Sequence, residues 1–97
     1  MKAPEGVRAC LWSYDLSELN LETDRELIVT QILNYGGWEE VQWLLKRYPQ
    51  KTIASVLKNP RRGVWLPDVL NFWTRLWGIH LLPHRYRRAL FSLYPQR

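Results

Sequence analysis

A chain of 97 residues with 46% apolar and 13% aromatic side chains has material for one packed domain and no more. Its 24% charged residues are those of an ordinary globular protein, and the longest apolar run falls well short of the roughly 18 residues a membrane span requires. One cysteine, Cys10, excludes an internal disulfide framework, and residues 1–10 lack the apolar stretch of a signal peptide, so a cytoplasmic location is expected.

Residues 1–9, with Pro4 and Gly6 and little apolar content, read as a flexible arm, which makes 1–10 the arm and 11–97 a single helical domain. Leu11, Trp12 and Tyr14 are expected to dock as an extended anchor, followed by a turn over residues 15–19. The first clear helix spans residues 23–34: Thr23 and Glu26 have capping-box spacing, and Tyr35-Gly36-Gly37 stops it. Leu27, Ile28, Gln31, Ile32 and Tyr35 form its core side.

The next helix, from residue 37 or 38 to 47, carries Glu39 and Glu40 in its first turn and Lys46 and Arg47 in its last, which suits the helix dipole. Trp38, Val41, Leu44, Leu45 and Tyr48 make its apolar stripe, and Trp43 falls on the opposite side. Pro49 suits the first position of a third helix, residues 49–58, which buries Ile53, Val56 and Leu57 and ends at Asn59-Pro60. Residues 59–66 then read as an exposed basic loop containing Arg61, Arg62, Gly63 and Trp65.

A fourth helix, residues 67–77, places Val69, Leu70, Trp73, Leu76 and Trp77 on one face and Asp68, Asn71, Thr74 and Arg75 on the other, with Gly78 as its stop. A last helix, residues 83–94, gathers Tyr86, Ala89, Leu90, Leu93 and Tyr94 on one side and Arg85 and Arg88 on the other. No alternating stretch argues for a sheet. The expected fold is all-α, a compact bundle of about five short helices.

Charge is divided along the chain. Residues 1–45 carry three basic and eight acidic side chains, whereas eleven Lys/Arg from Lys46 onward face Asp68 alone. This asymmetry points to an anionic partner for the second half, or to attraction between the halves themselves.

Catalytic apparatus is not visible. A zinc site needs three or four suitable ligands, and Pro83 interrupts any helix that would align His80 with His84. Cys10 shows no setting that would activate a thiol, Glu39 and Glu40 are placed as helix-start acids, and Gly36-Gly37 lacks the pattern of a phosphate loop. No enzymatic activity, metal or cofactor is therefore expected. Six tryptophans stand out, at positions 12, 38, 43, 65, 73 and 77. Trp38, Trp73 and Trp77 sit on apolar stripes and are expected to be core. Trp43, off its stripe, and Trp65, in the basic loop, join Arg61, Arg62, Arg85 and Arg88 as the expected partner-binding residues.

The residues Leu11-Trp12 with Tyr14-Asp15, Trp43-Leu44-Leu45 with Tyr48, Arg62, Asn71-Phe72-Trp73 and Gly78-Ile79 resemble a group of small bacterial proteins. Their genes often neighbour an abortive-infection type nucleotidyltransferase toxin. The resemblance implies an antitoxin-like or accessory factor and assigns no catalytic residue. Where that group has basic and hydroxyl residues at the start of the fourth helix, this chain has Leu66-Pro67-Asp68. The expected function is thus binding of a partner protein, a toxin by this resemblance. The alternatives are a DNA-binding regulator that sets Arg61, Arg62, Arg85, Arg87 and Arg88 on phosphates, or a basic amphipathic tail over residues 83–94 that lies on a membrane surface or in a partner groove.

Overall fold

The computed structural model describes residues 3–12 and 14–91. Among these the fold is all-α, with six helices: α1 (Glu5–Cys10), α2 (Arg25–Tyr35), α3 (Trp38–Arg47), α4 (Gln50–Lys58), α5 (Pro67–Leu76) and α6 (Pro83–Ala89). They fall into two compact units, Met1–Gln50 and Lys51–Arg97. None of the helices is long and apolar enough to cross a membrane.

In the first unit, the segment expected to be an arm forms α1. Pro4 presets the backbone at the helix start, and its carbonyl accepts the Arg8 N–H at 3.0 Å. Val7 and Cys10, three residues apart, share the buried side, and the Cys10 carbonyl accepts from Gln31 Nε2 at 3.3 Å. Two apolar side chains suffice to seat a six-residue helix that propensity alone would leave unformed. Leu11 is buried as expected, but Trp12 beside it is exposed.

Helix α2 starts two residues later than predicted, because the polar side chains that close its entry are Asn20 and Asp24. Asn20 Oδ1 accepts the N–H groups of Glu22 and Thr23 at 2.8 and 3.0 Å, while Asp24 Oδ2 accepts the Asn20 N–H at 2.8 Å. The expected Thr23–Glu26 capping box is not formed. Packed by both α1 and α3, α2 buries Ile28, Val29, Thr30, Ile32, Leu33 and Asn34, far more than one stripe, and Tyr35 instead faces solvent. Thr30 resolves its burial by donating its hydroxyl to the Glu26 carbonyl at 2.7 Å.

The stop between α2 and α3 requires glycine at position 36. A Cβ there would lie 2.7 Å from the Ile32 carbonyl oxygen and 2.9 Å from Glu40 Cβ. Glu40 reaches back so that its Oε1 accepts the Gly37 N–H at 2.9 Å, the helix-start role expected of it. On α3, Val41 and Leu44 are buried, with Tyr48 just past its end, but Trp38, expected in the core, is exposed, as is Leu45. At the far end Tyr48 donates to the Leu21 carbonyl at 2.6 Å, and Arg47 pairs with Glu22 at 2.7 Å.

In the second unit, α4 buries Ile53, Val56 and Leu57 as predicted. Helix α5 opens on Pro67 and closes in a Schellman arrangement: the Ile79 N–H bonds Thr74 O at 2.8 Å and the Gly78 N–H bonds Arg75 O at 3.2 Å, with Gly78 at φ 65°. Its buried line is Leu70 and Thr74 rather than the wide apolar stripe expected. Thr74, predicted outside, donates its hydroxyl to Leu70 O at 2.7 Å, and Leu76, predicted inside, is exposed. Trp73 and Trp77 are half-buried. Helix α6 ends at Ala89, five residues before its predicted end, because Leu90 turns into extended backbone. Leu93 and Tyr94, expected on its apolar side, lie outside the described residues.

Candidate functional site

The basic loop expected over residues 59–66 is tied to α6 by its backbone. The N–H of Gly63 donates to Arg88 O at 2.9 Å, and those of Val64 and Trp65 donate to Ala89 O at 3.0 and 2.9 Å. Phe91 returns its own N–H to Trp65 O at 2.7 Å, and Trp65 and Leu90 pair as an isolated parallel bridge. The last carbonyls of a helix lack partners within it, and here the loop supplies them. The loop reaches them by turning at Gly63, whose φ of 75° lies where side-chain-bearing residues are rarely found.

Two further bonds hold α6 along its length. Arg85 Nη2 donates to Asn59 Oδ1 at 3.3 Å, and the Tyr86 hydroxyl donates to Pro67 O at 2.9 Å. Sequence-distant residues are thereby brought to one place. Arg61 and Arg62 immediately precede the turn that bonds Arg88, and Arg85 lies one helical turn earlier. All four are exposed, as is Arg87. Among the described residues no carboxylate lies within ion-pairing distance of any of the five, and Asp68 is the sole acid of the unit's sequence.

Trp65, expected to be the aromatic of this patch, is 0% exposed and is withdrawn from it. A residue whose N–H and carbonyl both pair with the segment leaving α6 is fixed as internal backbone, and its ring follows inward. Two side chains that the sequence reading passed over stand beside the arginines instead. Leu82, at the start of α6, is 59% exposed, and Phe91, just past its end, is 51% exposed. Phe91 falls off the apolar side predicted for the last helix, the same signal that singled out Trp43. Trp43 belongs to the first unit, where it is half-buried on α3.

The other candidates for chemistry are scattered. His80 and His84 are exposed, and the described residues hold no group of three or more His, Cys, Asp and Glu able to bind a metal. Cys10 is buried, and its thiol is pushed above the ordinary range by that burial and, second, by the negative charge of Glu40. Its S–H points to the Gly6 carbonyl at 3.3 Å.

No curated protein and no solved structure matches the chain. A family model does, over residues 8–57, which takes in the end of α1, all of α2 and α3, and most of α4, and stops short of the arginine cluster. That span is just over half of the sequence, and the chain belongs to the family of unknown function DUF6922.

Proposed function

We propose that this protein is a non-enzymatic binding module that holds a partner protein through the loop and helix of its second unit. The observation that carries this reading is the arginine cluster bracketed by two exposed apolar side chains, Leu82 and Phe91. Arginines beside apolar anchors are the composition of protein interface hot spots. The five guanidinium groups, none within ion-pairing distance of a carboxylate among the described residues, call for an acidic surface on the partner. Leu82 argues for protein over nucleic acid, because an exposed aliphatic side chain neither neutralises a phosphate nor stacks on a base. The sequence resemblance to toxin-neighbouring proteins makes a toxin the first partner to try, and the chain its antitoxin-like restraint.

A DNA-binding regulator remains the second reading, favoured by one feature: the arginines have no carboxylate to neutralise them. The two readings separate in one experiment. Tagged protein is purified from its native host with and without nuclease. A single protein retained at equal stoichiometry after digestion, and lost from a Leu82→Ser bait, supports the first reading. Co-purifying nucleic acid, with Leu82→Ser behaving as the parent, would replace it with the second. In that event Arg61→Ala with Arg62→Ala should lower the salt slope of duplex binding by about two.

A further inference from the structure

The outward face of α5 is a separate surface, on the side opposite Leu70 and Thr74. Asp68, Asn71, Phe72, Arg75 and Leu76 line an open depression on it, with Phe72 56% and Leu76 63% exposed. The Phe72 ring lies edge-on to Trp73, centroids 5.0 Å apart. Asp68 and Arg75 are seven residues apart, two helical turns along one stripe, and Phe72 lies between them.

A stripe written acid, aromatic, base is complementary to itself when reversed. We propose that this face is the seam of a homodimer in which two copies of α5 pack antiparallel about a two-fold axis near Phe72. Asp68 of each copy then stands opposite Arg75 of the other, and the two Phe72 rings meet at the axis. Parallel packing would set Asp68 against Asp68 and Arg75 against Arg75. In a unit with nine basic residues and Asp68 as its sole acid, the antiparallel register sets that acid against a cation of the other copy. A seam of two ten-residue helices is small, which suits a weak, concentration-dependent dimer. The proposal is independent of the arginine cluster and stands or falls apart from it.

The test is sedimentation equilibrium of the full chain from about 1 μM to about 1 mM, the range over which weak pairs assemble. The parent should pass from monomer to dimer. Asp68→Arg alone and Arg75→Asp alone should each weaken self-association at least about 100-fold, since each sets like charges opposite one another twice. Mixing these two variants should restore a one-to-one dimer to within about tenfold of the parent, because a protomer with two positive groups on the stripe then faces one with two negative groups. Both reversals oppose the dipole of α5, so helicity is checked by circular dichroism, and Phe72→Ser, neutral at the helix ends, should independently give a monomer. A parent that stays monomeric throughout, single variants that dimerise as the parent does, a Phe72→Ser dimer, or a mixture that does not recover would each overturn the proposal.

Discussion

At Trp65 the structure encloses a large ring whose indole N–H meets no acceptor among the described residues. An unpaired buried donor costs about 1–3 kcal/mol, while removal of a buried tryptophan leaves a cavity costing about 3–5 kcal/mol. Packing therefore wins. Trp65→Ala should lower the thermal midpoint by more than about 10 °C, and Trp65→Phe, which gives up area but also removes the unpaired N–H, by less than half as much. Equal losses in the two variants, measured by circular dichroism melting, would contradict packing as the larger contribution. Two other buried groups set an alkaline limit. Burial raises the Cys10 thiol above its usual 9.0, with Glu40 adding to it, and burial likewise raises the Tyr48 phenol above its usual 10.0, only partly offset by Arg47. The folded chain keeps these protons after the unfolded chain has lost them. Their contribution is complete below the unfolded values and is lost as pH rises through the folded ones. The urea midpoint should fall from about pH 9 upward, with Cys10→Ala flattening the earlier part of that fall. A midpoint level to pH 10.5 would contradict the assignment.

Helix boundaries were legible wherever a cap residue or a proline marks them. Helices α3, α4 and α5 begin and end within one residue of expectation, because Gly37, Pro49 and Pro67 mark their starts and Asn59-Pro60 and Gly78 mark the ends of α4 and α5. What failed was periodicity in short helices packed on more than one side: α2 has no single stripe, so Tyr35 was placed inside and Asn34 overlooked. Composition failed at α1, where Pro4 and Gly6 suggested an arm although Val7 and Cys10 were spaced to be buried. In the candidate site the arginines were legible by charge. The loss of Trp65 and the gain of Phe91 were not, since both depend on a backbone pairing between residues 63–65 and 88–91 that no local signal encodes. The α2–α3 junction gives a test at this scale. Gly36→Ala places a Cβ against a backbone oxygen, which cannot rotate away, whereas at Gly37 the nearest atom is the end of the Glu40 side chain at 3.4 Å. Gly36→Ala should cost about 2 kcal/mol or more and Gly37→Ala less than about 1 kcal/mol in urea unfolding. The reverse order would mean that the junction relaxes freely.

Across the molecule, the division of charge seen in the sequence follows the division into units. Met1–Gln50 carries five basic and eight acidic residues, a net −3, and Lys51–Arg97 carries nine against one, a net +8. One ion pair among the described residues, Arg47 with Glu22, joins the basic and acidic stretches of sequence, and it lies inside the first unit. A net charge of this sign would speed encounter of the second unit with an acidic partner at low ionic strength. The family match runs from the end of α1 through most of α4, so the surface proposed for binding lies beyond the part this chain shares with the family model. The most direct test compares two baits in extract from the native host: the parent, and a variant carrying Arg61→Glu, Arg62→Glu, Arg85→Glu and Arg88→Glu, all at exposed positions, with folding checked by circular dichroism. The account predicts that the protein held stoichiometrically by the parent falls at least about tenfold on the folded variant. Retention of the same protein at the parent's level would contradict it and remove the arginine cluster from the interface.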